Sequence, residues 1–396
     1  MTITLNEITT VLLAFSVYFI GEFLIKKLDL LYRFAIPAPV IGGLLFALIA
    51  WLLSSFNILT FKMNTEFQSL FMLAFFTTIG LGASFALIKL GGKILIIYWL
   101  ACGFLALLQN VIGVGMASMF GMNPLMGVVM GAASMEGGHG GVTAYGTTIE
   151  EMGVNGALSI GLASATLGLI SGGLVGGPVV QNLIRKYNLK PTDSVVTSKS
   201  SVDIPEESID ANQFIRTSAV IVFCMAIGSL LGDWFTNATG FALPGYVGAM
   251  FLAVIVRNVI EGVKPEVINL KVNGIIGDIT LAVFLSMALM SINFAEITGN
   301  VVPIIATLIV QVIAIVLFGR FILFKLLGKS YDSAVMVAGF LGHGLGATPN
   351  AMANMDSVTK LFGPSQRAFL IVPVVGAFLI DVFSVPIIIM TINLFS

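Results

Sequence analysis

Apolar stretches of about 20 residues recur along the whole chain, and each is long enough to cross a hydrocarbon core of roughly 30 Å. Only 10% of the 396 residues are charged and 57% are hydrophobic. A soluble domain carries about a quarter charged residues, so most of this chain's surface cannot face water. The expected class is an all-α integral membrane protein. Hydropathy places ten spans at 8–25, 35–55, 69–88, 94–120, 155–183, 212–235, 241–257, 276–293, 301–324 and 366–394. The segment MTITLNEITT has no basic run, so the apolar residues from Val11 to Ile25 read as the first span rather than as a removed leader.

Two apolar, glycine-rich stretches, 124–150 and 331–356, are too broken for spans and too greasy for exposed loops. Irregular backbone at membrane depth is tolerated only against protein or a watery cavity. Both are therefore expected to be re-entrant hairpins. Eighteen of the 19 basic residues fall on one side of this arrangement, and only Lys62 falls on the other. The positive-inside rule makes the rich side cytoplasmic, with both termini outside. The stretch 190–211 is polar, aperiodic and rich in Ser, Thr, Asp and Glu, as a solvated cytoplasmic linker would be.

On either side of that linker the chain echoes itself. AIPAPVIGGL (35–44) is matched by ALPGYVGAMF (242–251), LAFF (73–76) by LAVF (281–284), and GGHGG (137–141) falls where the second half has GHGLG (342–346). The offsets cluster near 204–208 residues, so the matches run in register. With five spans each, residues 1–189 and 212–396 would enter the bilayer from opposite sides. Inverted repeats of this kind are common among secondary transporters.

Polar groups concentrate in the two broken stretches. Glycine frees backbone N–H and C=O groups, which inside a membrane need partners. Carbonyls suit a hard cation such as sodium, and helix N-termini suit a carboxylate. Candidate substrate contacts are Glu136, Gly137, Gly138, His139, Gly140, Gly141 and Thr143 in the first stretch. In the second they are Gly342, His343, Gly344, Gly346, Thr348 and Asn350. Candidate sodium ligands are Asp381, Asn354, Ser134 and Asp278. Other readings stand beside these. The glycines also permit tight helix packing, and each histidine is either a satisfied buried donor, a substrate contact or a proton relay. Asp381 is a sodium ligand or an acceptor that breaks its helix, and Asp278 is functional or an interfacial cap. Glu136 is a coupling-ion ligand, a proton acceptor, or a group turned to an aqueous vestibule. Glu22, beside Lys26, reads as an interfacial residue.

Other chemistries lack their residues. GKS (328–330) has no P-loop glycine upstream, SGG (171–173) is not a nucleophile elbow, and HExxH is missing. The chain is not expected to be an enzyme or to carry a cofactor. A net charge of −1 without a basic patch gives no sign of nucleic-acid binding. Cys102 and Cys224 sit in apolar runs without metal or redox spacing and read as packing residues.

SLFMLAFFTTIGL, QNVIGVGMASMFGMNPLMG, GGHG, LGATPNAMANM and FGPSQRAFLIVPVVGAFLID together resemble the bacterial sodium/glutamate symporter family, from about residue 35 to 385. The resemblance implies a homodimer in the bacterial inner membrane, two inverted five-helix repeats with re-entrant hairpins, and glutamate uptake coupled to sodium. A transport domain moving past a dimerising scaffold, as in an elevator, would carry the solute. The residues that transfer best are Gly137 to Gly140, Gly344 to Pro349, Ala353 to Met355 and Asp381. Three positions depart from the family's pattern: Glu136 replaces a small hydroxyl residue, Gly141 a threonine and His343 an aromatic. An added acid beside an anion site raises an alternative, another carboxylate or amino acid carried with protons through Glu136. The orientation itself is testable with single cysteines at Lys62 and Lys329. An impermeant thiol reagent applied to intact cells should label the first and spare the second.

Overall fold

The computed structural model describes residues 2–28, 31, 36–191, 210–263 and 267–396, with the side chains of 86–91 and 377–378 left aside. Most of the expected linker at 190–211 lies outside the described residues. So do Arg33, Lys199 and Lys264, together with the side chain of Lys89, all counted among the basic residues of one side.

Among the described residues, eight helices are long and apolar enough to cross a membrane. They fall on eight of the ten expected spans. Helix α1 (Glu7–Lys27) is followed by α2 (Ala38–Ser55), then by α3 (Glu66–Gly82), which is shorter. The third expected span thus stops at Gly82, where Ala83 turns extended, rather than reaching 88. Helix α4 (Ala86–Met119) is kinked where Gly92 takes φ 57°, so its straight part begins at Gly92. Short helices α5 (Pro124–Val129) and α6 (Ala132–Met135) lead into α7 (Gly138–Glu151) and the long α8 (Ala157–Tyr187). The second half runs α9 (Ala211–Thr239), α10 (Gly245–Val263), α11 (Leu270–Met290), a short α12 (Phe294–Gly299) and α13 (Val301–Leu317), which continues through a π-helical turn to Leu326. Helices α14 (Tyr331–His343) and α15 (Thr348–Phe362) occupy the second broken stretch. The tenth expected span is itself broken: α16 (Gln366–Val374), a π-helical turn (Val375–Leu379) and α17 (Ile380–Phe395).

Polar residues between the apolar runs start these helices. Asn6, Asn123, Asn269 and Asn293 each accept a first-turn N–H through the side chain, and Ser330 forms a capping box with Ser333. One element departs from the all-α expectation. Thr2–Leu5 and Thr60–Met63 pair as two parallel strands, with Thr2 opposite Thr60 and Leu5 opposite Met63. Both segments are rich in residues that favour strands, and their flanking helices hold them side by side.

The helices sort into two packed groups. Helices α1–α3 pack with α9–α11, while α4–α8 pack with α13–α17. Each group therefore takes helices from both halves of the sequence. Apolar side chains fill the groups: Leu81, Ile221, Cys224 and Ala253 in one, Leu95, Leu105, Phe340 and Val372 in the other. Cys102 and Cys224 are buried free thiols, as the sequence suggests for packing residues. Glu22 forms an exposed ion pair with Lys26 at 2.7 Å. Large apolar side chains such as Leu12, Phe19, Leu107, Phe223 and Ile313 remain on the outside, as a lipid-facing surface requires.

Amides embedded in apolar helices tie the broken segments to the intact ones. Gln109 of α4 donates from Nε2 to the Gly344 carbonyl, and Gln311 of α13 donates to the Gln109 carbonyl at 2.8 Å. Asn110 accepts the Ala132 N–H at 3.1 Å and donates to Thr391 Oγ1. A buried polar group stripped of its partner costs about 1–3 kcal/mol. Gln109→Leu should therefore lower the unfolding midpoint of the detergent-solubilised protein by a corresponding amount, whereas substitution of the lipid-facing Leu107 should leave it nearly unchanged.

Candidate functional site

The two glycine-rich segments meet. Gly138 has φ 58°, a conformation open to glycine, and a Cβ there would lie 2.7 Å from the Gly346 carbonyl oxygen. The chain thus brings the first turns of α7 and α15 against each other. Their leading N–H groups have no intrahelical acceptor. Gly138, His139 and Gly140 supply them on one side, Thr348 and Asn350 on the other, with Pro349 fitting the first turn of α15.

Beside this junction lies a cavity of about 770 Å³. One wall is the run Glu136–Gly141 with His343, Gly346–Pro349, Gly376 and Asp381, all from the group containing α4–α8 and α13–α17. The facing wall comes from α1–α3 and α11 and includes Tyr18, Phe75, Thr78, Asn273 and Asp278. The cavity therefore sits between the two helix groups. Its lining includes three acids, Glu136, Asp278 and Asp381, and no lysine or arginine among the described residues.

Both histidines are held in matching ways. Thr166 gives its hydroxyl proton to the Leu162 carbonyl, so at 3.0 Å it accepts from His139 Nε2. His343 Nε2 donates to the Val372 carbonyl at 3.1 Å. Asp381 accepts a long hydrogen bond from Ser384 at 3.4 Å. Thr348 donates to the Gly376 carbonyl at 2.8 Å. Glu136 caps the end of α6 and is only 8% exposed, and neither of its carboxylate oxygens has a hydrogen-bond partner.

Several expected contacts point elsewhere. Asn350 Nδ2 donates to the Leu169 carbonyl, and Asn354 Nδ2 donates to the Gly172 carbonyl at 3.1 Å. Thr143 donates to the His139 carbonyl and Ser134 to that of Gly131. Thr143 and Ser134 thus serve the main chain of the first broken stretch, and the two asparagines that of α8. Gly342 packs on the backbone of Ala351, and Gly344 turns its carbonyl to Gln109, so neither lines the cavity. Of the four candidate sodium ligands, Asp381 and Asp278 reach the cavity and Ser134 and Asn354 do not. Thr166, Asn273, Gly376 and Ser384 were not singled out in the sequence. A polar side chain inside an apolar helix, as Thr166 is, was the available signal.

Residues 3–364 match the family described as sodium/glutamate symporter. The sodium/glutamate symporter of Haemophilus influenzae is 38% identical over 387 residues, covering 96% of both chains. That of Escherichia coli K12 is 37% identical over 382 residues, covering 96% of this chain and 95% of its own. The chain belongs to the sodium/glutamate symporter family. As a family member it is a multi-pass membrane transporter and not an enzyme.

In this symporter-family site one close approach fixes the position of His343. A Cβ on Gly376 would fall 1.6 Å from His343 Cε1, so the ring can rest where it does only above a glycine. Gly376→Ala should lower stability by about 1–3 kcal/mol through overpacking. Adding His343→Ala should recover much of that loss. Thermal unfolding of the two single variants and the double variant checks this non-additivity.

Proposed function

We propose that the protein takes up glutamate together with sodium across the bacterial inner membrane by alternating access. The observation that carries this reading is the abutment of two helix starts, α7 and α15, at a cavity that Asp381 also lines. Their free N–H groups offer an anion two positive helix ends at once. Asp381, with nearby main-chain carbonyls, offers sodium the oxygen ligands a hard cation prefers. Asp278 on the facing wall is a second candidate. Members of the matched family, including the relatives from Haemophilus influenzae and Escherichia coli, carry both solutes in their names.

The architecture is proposed as ten spans in two inverted repeats, 1–189 and 212–396, with re-entrant hairpins at 124–150 and 331–356 and both termini outside. Helices α3 and α16–α17 would supply the ninth and tenth crossings beside the eight long ones. Support for the repeat comes from the paired histidines: Thr166 and Val372, their partners, are separated by nearly the same offset as His139 and His343. An elevator-type movement is proposed because the cavity divides two separately packed helix groups. The group holding α7 and α15 would carry the solutes, and the other would form a dimeric scaffold, as family resemblance implies.

Proteoliposomes with an inward sodium gradient should accumulate labelled glutamate. Asp381→Asn should raise the sodium concentration needed for half-maximal uptake by about 10- to 100-fold, the usual cost of losing a charged ligand. Uptake that ignores sodium and follows a pH gradient instead would reject sodium coupling and favour protons carried through Glu136.

A further inference from the structure

Glu136 stands out among the polar groups of the cavity. It is more than nine-tenths buried, and both carboxylate oxygens lack any protein partner. Burying a carboxylate costs several kcal/mol unless a cation or hydrogen-bond donors compensate it. The surroundings offer no fixed cation. Among the described residues no lysine or arginine lines the cavity, and the Nε2 protons of His139 and His343 are already given to Thr166 and Val372. Such a carboxyl is neutral while it holds a proton, and once ionised it needs a positive charge that arrives with a solute.

A bare metal ion suits this position poorly. Hard cations gather several oxygen ligands, and among the described residues no three His, Cys, Asp or Glu side chains cluster to hold one. The residues that follow Glu136 contribute N–H groups at the start of α7, which favour negative charge. An amino acid answers both demands, because its ammonium and carboxylate sit on one carbon. Its carboxylate can take the N–H groups of Gly138, His139 and Gly140 while its ammonium faces the acid just before them.

We infer that Glu136 is the specificity-determining residue that receives the substrate's α-ammonium group, so that the site selects amino acids over the corresponding carboxylates lacking the amine. This rests on the proposal that the cavity binds the transported solute. The two carboxylates of glutamate and of glutarate are alike, and Glu136 is what tells the compounds apart. The other acids have different duties: Asp381 is bonded to Ser384, and Asp278 lies on the opposite wall.

The test measures ligand-induced thermal shifts and competition with purified protein in constant sodium, using pairs that differ only by the amine: glutamate with glutarate, aspartate with succinate. The wild type should favour the amine-bearing member by about 10- to 100-fold, the worth of one charge-assisted contact. Glu136→Gln, close to isosteric, should erase that preference by weakening only the amine-bearing member. Glu136→Asp, which keeps the charge, should restore part of it and shows that the position tolerates change. Equal weakening of both members of a pair would overturn the inference, as would a changed sodium dependence with the preference intact. The two proposals fail separately. Sodium-driven glutamate uptake that glutarate inhibits equally well would sink the role of Glu136 alone. An amine preference shown by aspartate and lost in Glu136→Gln, without any glutamate binding, would sink only the glutamate reading.

Discussion

An unpaired main-chain group in an apolar medium is expensive, and the whole of this structure is arranged around that cost. Continuous helices avoid it, and most of the chain is made of them. Two segments cannot, because glycines and Pro349 interrupt them at membrane depth. Side chains tie the interruptions to their neighbours: Gln109 donates to the Gly344 carbonyl from outside, while Asn350 and Asn354 reach out to carbonyls of α8 and Thr348 to the Gly376 carbonyl. What stays open at the first turns of α7 and α15 is the proposed binding surface.

That division of labour explains which polar residues face the cavity. Most amides and hydroxyls of the broken segments, Thr143, Ser134, Asn350 and Asn354 among them, are taken by main-chain carbonyls and brace the site without lining it. The groups left over include main-chain N–H donors, two tethered imidazoles, three carboxyls, the Tyr145 hydroxyl and the Asn273 amide oxygen. A solute fitting them needs a carboxylate for the N–H groups and some positive charge for the acids. Neither kind of group alone would be content there.

Span positions were readable in the sequence because apolar length is a direct consequence of bilayer thickness. The locations of both broken segments were readable too, since clustered glycine in greasy sequence has few other uses. Their internal hydrogen bonding was not. Thr143, Asn350 and Asn354 look like ligands in one dimension, but Thr143 donates back to a carbonyl of its own helix and the packing of α8 takes the donors of the two asparagines. The facing wall was equally hidden, because Tyr18, Phe75 and Asn273 are distant in sequence and come together only when α1, α3 and α11 pack within one helix group. The small parallel pairing of residues 2–5 with 60–63 escaped for a similar reason, being two four-residue pieces 55 residues apart joined by tertiary proximity.

An acid-lined chamber without a resident cation also has an electrical meaning. In the proposed elevator movement the binding site would carry its own charge across the bilayer, and voltage acts on each elementary charge with about 2.3 kcal/mol per 100 mV. With ionised carboxyls and no bound solute, the mobile part would be anionic, and an inside-negative potential would push it outward. The resting membrane voltage would then assist the unladen half of the cycle rather than the laden one, biasing the carrier to wait with its mouth toward the medium.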